Sequence, residues 1–210
     1  MDIEFGKNIT SFSPESIKHY FINNPEFLQT KKGKELQVGL ILSAFIKKVE
    51  KMEVFVGFPM KEIKKRVSVN EHFQISDLLE NSKLIDDTDV DFMLITPEDQ
   101  LAPVKYAIQL VSVPPRFSDP KEARSHILKI LTKKCMRSRD ESLWLLISIQ
   151  ESCSTNIDDL RKHLDQLTVP YGKISLIGMV DQKQNKFQLV EIWPRFVIEE
   201  PITITLTSNF

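Results

Sequence analysis

Asp91 and Gln109 are the side chains whose type and surroundings invite chemistry, because each stands inside a short apolar run. Asp91 heads the run Val90 to Thr96, and Gln109 lies within Tyr106 to Val113. Both runs are rich in β-branched and aromatic residues and flank a polar link containing Pro97 and Pro103, which predicts two strands joined by a loop. Strand alternation puts Asp91 on one face with Met93 and Ile95, and Gln109 on one face with Lys105, Ala107, Val111 and Val113. Burying either polar group without a partner costs about 1–3 kcal/mol, so each needs a hydrogen bond or a metal ion. A preceding helical segment carries Glu35. Carboxylates and an amide are hard oxygen donors that suit Mg²⁺ or Mn²⁺, and such an ion can activate water against a phosphodiester.

The elements that must position these groups follow from periodicity. Leu36, Leu40, Ile41, Ala44, Phe45 and Ile46 recur at helical spacing, and Met52 to Phe58 reads as a strand closed by Pro59. Pro114, Pro115 and Pro120 precede a helix with Ala123, Ile127, Ile130 and Leu131 on one side. Leu143 to Ile149 is apolar on both alternating faces, the mark of a strand covered on both sides. Asn156 caps an amphipathic helix through Leu167. Lys173 to Val180 and Phe187 to Trp193 form a hairpin across 181–186, and Ile202 to Leu206 adds an edge strand. The order calls for an α/β domain with a central mixed β-sheet flanked by helices. We divide the chain into an N-terminal arm, 1–34, holding a short helix that starts at Ser13-Pro14-Glu15-Ser16, and a core, 35–210. Residues 60–85 remain ambiguous between loop and helix.

Around Glu35, Val90 to Ile95 (Val-Asp-Phe-Met-Leu-Ile) and Lys105 to Val111 (Lys-Tyr-Ala-Ile-Gln-Leu-Val), the chain resembles the PD-(D/E)XK superfamily, the restriction-endonuclease-like fold. The resemblance runs over about residues 35–195 and rests more on the succession of elements than on the letters. It implies a metal-binding aspartate at Asp91, an acidic or glutamine ligand at Gln109, a supporting helix glutamate at Glu35, and Mg²⁺ or Mn²⁺ as cofactor. It also implies a lysine two positions after Gln109, where this chain has Val111. Lys105 is about 13 Å along the strand from Gln109, too far to substitute, so either a lysine of another element, such as Lys129 or Lys133, fills the gap or none does. The expected activity is metal-dependent hydrolysis of DNA or RNA. A catalytically silent module of the same fold, binding nucleic acid or a protein partner, is the alternative, and an unrelated α/β fold with core polar groups is a third.

Charge adds a second signal. The 210 residues carry a formal net charge of −1, yet Lys121, Arg124, Lys129, Lys133, Lys134 and Arg137 crowd one stretch against Asp119 and Glu122. A phosphate backbone is attracted to such a stretch, and Arg124, Lys129, Lys133, Lys134 and Arg137 are the candidate nucleic-acid contacts. Lys61, Lys64, Lys65 and Arg66 form another basic cluster, whereas Asp86, Asp87 and Asp89 read as a solvated turn. The four histidines lack ligand spacing, and the two cysteines, Cys135 and Cys153, are too few for a disulfide framework. No Gly-rich phosphate loop and no Gly-x-Ser-x-Gly elbow occurs, which argues against nucleotide hydrolysis by a P-loop and against an α/β-hydrolase. The absence of a long apolar run and of a leader-like N-terminus predicts a soluble, cytoplasmic protein with no membrane span.

Overall fold

The computed structural model describes residues 2–5, 30–52, 54–57, 90–95, 104–113, 120–136, 143–149, 153–194 and 200–205. The expected N-terminal helix, the ambiguous 60–85 stretch, the 61–66 basic cluster, the 86–89 acidic run and Arg137 lie outside them.

Helix α1 (Lys31–Glu50) opens on Thr30, whose hydroxyl accepts from the Gly33 amide at 3.0 Å. The Lys31 to Lys34 stretch, assigned to the N-terminal arm by the division at residue 34, is therefore the first turn of this helix. A capped terminus outweighs the local cost of Gly33. Among the strands that follow are β2 (Phe55–Gly57), β3 (Phe92–Ile95), β4 (Val104–Val113), β5 (Leu143–Ile149), β7 (Lys173–Asp181), β8 (Lys186–Trp193) and β9 (Ile202–Thr205). These seven make one sheet in the order β2-β3-β4-β5-β7-β8-β9. The β2-β3-β4 and β7-β8-β9 pairings are antiparallel, while β4-β5 and β5-β7 are parallel. The architecture is thus α/β with a mixed sheet, as the patterning requires. A pairing the patterning missed joins β1 (Asp2–Phe5) to β6 (Cys153–Asn156) in a separate two-stranded sheet.

Parallel neighbours need crossovers, which α2 (Pro120–Cys135) and α3 (Ile157–Leu164) supply. Asn156 caps α3 by accepting from the Asp159 amide at 3.2 Å. Both helices pack on one face of the sheet: Ala123, Ile127, Leu131, Leu160 and Leu164 join Leu143, Leu145, Ile147 and Ile149. Helix α1 covers the other, where Val38, Ile41, Leu42 and Phe45 meet Phe92, Leu94, Ile108, Trp144 and Leu146. Every residue of β5 is buried, because one layer takes its odd positions and the other its even ones. Among the described residues no helix is long and apolar enough to cross a membrane.

Helix α1 lies close to the sheet because residue 39 is glycine. A Cβ there would come within 2.8 Å of Val56 Cγ1 and 3.3 Å of Phe92 Cε2. Alanine gains about 1 kcal/mol of helix propensity but forces a short, stiff valine aside, and overpacking costs about 1–3 kcal/mol. Gly39→Ala is therefore expected to lower the urea midpoint, whereas an unchanged or raised midpoint would show that α1 has room to retreat.

Further along the α1 face, Tyr106 stacks edge-on against Trp144 at 5.1 Å and donates its hydroxyl to Glu50 Oε1 at 2.6 Å. Burial, followed by the bond to and charge of Glu50, pushes this phenol well above the ordinary tyrosine range. A raised folded-state pKa gives stability that is complete below the unfolded value of about 10 and is lost as pH climbs through the folded value. Unfolding free energy should accordingly fall above pH of about 10, and less steeply in Tyr106→Phe, as read by denaturation at a series of alkaline pH values.

Candidate active site

Asp91 lies in a bend immediately before β3, and this bend decides where its carboxylate goes. Its amide donates to the Ile108 carbonyl at 2.9 Å, and its Oδ2 accepts from the Leu110 amide at 2.9 Å. The side chain thus takes the place of a backbone acceptor at the end of the β3-β4 ladder. Regular alternation, which would keep Asp91 on the face of Met93, stops at this bend. The other oxygen, Oδ1, accepts from Lys31 Nζ of α1 at 3.2 Å. One turn on, Glu35 Oε1 lies 3.3 Å from the same ammonium.

Glu35 and Asp91 therefore converge on a single cation, as residues of two different elements. The Glu35 side chain is 3% exposed, that of Asp91 19% and that of Lys31 78%. Gly39, four residues after Glu35 on the same helix face, lets α1 approach closely enough for this meeting. Burial opposes the Lys31 charge, but the attraction and hydrogen bonds of Asp91, then of Glu35, outweigh it and raise its pKa above the ordinary lysine value.

Gln109 does not join them. Its neighbours on the strand face, Ala107 and Val113, belong to the layer under α2 and α3, and its Oε1 accepts from the Tyr171 hydroxyl at 2.7 Å. The carboxamide and the Glu35–Asp91 pair point to opposite layers of the sheet, correcting the expectation that strand neighbours share a pocket. The expected polar partner for Gln109 exists, but it is a buried tyrosine. Val111 packs, half-buried, against that same α2 and α3 layer.

Sequence reasoning overlooked Lys31, because its pairing to Asp91 spans 60 residues of chain. The ammonium beside the carboxylate pair comes from α1. Two serines were missed as well. Ser112 and Ser148 are register partners at the carboxyl ends of β4 and β5, on the α1 face. Ser112 is exposed, and Ser148 is buried with its hydroxyl lacking a hydrogen-bond partner. Open α/β sheets take ligands at this end of their parallel strands.

The basic helix stands elsewhere. Lys129 and Lys133 are exposed on α2, Lys134 is half-buried, and Arg124 pairs with Asp159 of α3 at 2.7 Å. Since α2 covers the layer opposite α1, these cations do not line the Glu35–Asp91 pair. His163 accompanies Arg124 in joining the helices, with Nε2 2.9 Å from Thr132 Oγ1. That hydroxyl donates to the Leu128 carbonyl, so it accepts from the histidine, which carries its proton on Nε2.

Among the described residues no group of three or more His, Cys, Asp or Glu side chains converges as a metal cage. Comparison with protein-family models, with curated proteins and with solved structures returns no match.

The geometry separates a packing role from a site role for Gln109. Removing its side chain leaves the Tyr171 hydroxyl buried without this acceptor, at a cost of about 1–3 kcal/mol. Gln109→Ala should therefore lower the denaturation midpoint while leaving Mn²⁺ affinity, measured by calorimetric titration, unchanged. A loss of metal affinity with normal stability would restore the amide to the ligand set.

Proposed function

We propose that this chain is a divergent restriction-endonuclease-like domain that hydrolyses phosphodiester bonds of DNA or RNA with a divalent cation held at Glu35 and Asp91. The observation that carries the reading is the convergence of these two carboxylates on one ammonium where the β3-β4 ladder ends. The topology supports it: a helix, an antiparallel β2-β3-β4 meander, a crossover helix and a parallel β5 reproduce the succession of elements on which the resemblance rests.

The residues present fit Mg²⁺ or Mn²⁺ in chemistry and number. Mg²⁺ commonly binds through one or two carboxylates, retains several waters and completes its shell with substrate phosphate. When bound, such an ion lowers the pKa of a coordinated water and offsets charge developing on the phosphate. Asp91 is held in orientation by the Leu110 amide, so little ordering remains to be done when a ligand arrives. Glu35 supplies a negative charge from a nearly water-free position, where electrostatic attraction is least screened. Lys31 supplies the positive charge that Val111 cannot, and its exposed stem can bring the ammonium to a phosphate oxygen.

Asp91→Asn keeps the shape and the bond from Leu110 but removes a charge. It is expected to slow Mn²⁺-dependent cleavage of single-stranded DNA, duplex DNA and RNA by at least about 100-fold. Cleavage that persists at the original rate in this variant would overturn the proposal.

A second reading, a domain of this fold that binds without cutting, is favoured by the engagement of Gln109 with Tyr171 and by the valine at 111. Its signature is affinity for nucleic acid that falls steeply with salt, without cleavage of any of the three substrates. Binding to a protein partner alone would leave both assays blank.

A further inference from the structure

We propose that Lys31 is a tethered counter-ion that occupies the cation position between Glu35 and Asp91 and is displaced when a divalent ion binds. The inference rests on reading this carboxylate pair as a metal site.

Three features carry it. The ammonium lies at almost equal distance from the two carboxylates, 3.2 Å from Asp91 and 3.3 Å from Glu35, so the pair already shares one cation. The three partners differ greatly in freedom: Glu35 is enclosed in the helix–sheet interface, whereas the lysine side chain is 78% exposed and sits on a flexible four-carbon stem. Finally, Lys31 is the first residue of α1, where the free amides and the helix dipole disfavour a cation. Helix geometry thus works against the lysine while the two acids hold it.

The charge arithmetic accommodates the exchange. Two carboxylates with one ammonium leave a net charge of −1, and the pair with a divalent ion is neutral. The lysine need not travel far on release, because its backbone is fixed by the cap at Thr30 and its ammonium stays within reach of an anion bound at the same place. The same residue then guards the site in the absence of metal and faces the substrate phosphate in its presence.

Calorimetric titration with Mn²⁺ alone, without nucleic acid, tests the exchange on the full chain. Lys31→Met removes the competitor, so it should bind Mn²⁺ about tenfold more tightly than the natural protein. Its thermal midpoint without metal should fall, and saturating Mn²⁺ should raise it by more than it raises that of the natural protein. Lys31→Arg keeps the charge but grips carboxylates with a bidentate fork, so it should bind Mn²⁺ several-fold more weakly. Lys31→Met affinity equal to or weaker than that of the natural protein overturns the inference; if that variant does not fold, Mn²⁺ binding by Lys31→Arg as tight as in the natural protein or tighter does so. If neither the natural protein nor these variants give binding heat, or if Asp91→Asn gives the same heat as the natural protein, the metal-site reading itself falls.

Discussion

A carboxylate enclosed between a helix and a sheet demands a counter-charge, and the first turns of α1 are organised by that demand. Glu35 is 2% exposed, and a charge so placed is tolerated only when paired. Lys31 on the preceding turn meets it, but that lysine is shared with Asp91, which is itself fixed by a backbone amide of β4. The chain of contacts runs from helix to lysine to bend to sheet. Through it, the position of α1, the end of the β3-β4 ladder and the location of the carboxylate pair become one constraint. Gly39 is the steric counterpart, since a Cβ there would crowd Val56 and Phe92 and force a shift at the helix–sheet contact.

Several other buried polar groups obey the same rule, with neutral and charged partners alike. Gln109 meets Tyr171, Trp144 donates its indole N–H to Ser175 at 3.1 Å, and Lys173 pairs with the buried Glu191. Lys173 also lies 4.3 Å from the Trp144 ring centroid, so the aromatic face and the carboxylate both stabilise its charge. These pairs lie in both layers and complete the packing, whereas the Glu35–Asp91 cluster retains a solvent-exposed member in Lys31.

Where burial alone decided the outcome, the sequence was readable. Leu143–Ile149 forms a doubly covered strand because neither of its faces is polar, and Asn156 starts α3 because its side chain can satisfy an amide of the first turn. The hairpin between β7 and β8 follows from Asp181, which accepts from the Gln184 amide at 3.1 Å. Long-range pairings were not readable. Strand β6 looks like the lead-in to a helix, since its partner β1 is about 150 residues away in the chain. The composition of the candidate site was half legible for a related reason. Glu35 and Asp91 could be named by type, but the face on which Asp91 lies depends on a bend that alternation does not encode. Gln109 was singled out correctly as a polar group needing a partner, yet the partner, Tyr171, lies 62 positions away.

The far end of α1 carries a consequence of its own. Lys48 donates its ammonium to the Thr203 carbonyl of β9 at 2.6 Å, and β9 is the last strand of the sheet. An unpaired border strand is a template on which another polypeptide can add, the first step toward uncontrolled self-association. A hydrated ammonium set against that backbone must be stripped of water before any newcomer can align there. One helix thus presents lysines of opposite duty at its two ends: the first invites exchange, and the second discourages aggregation.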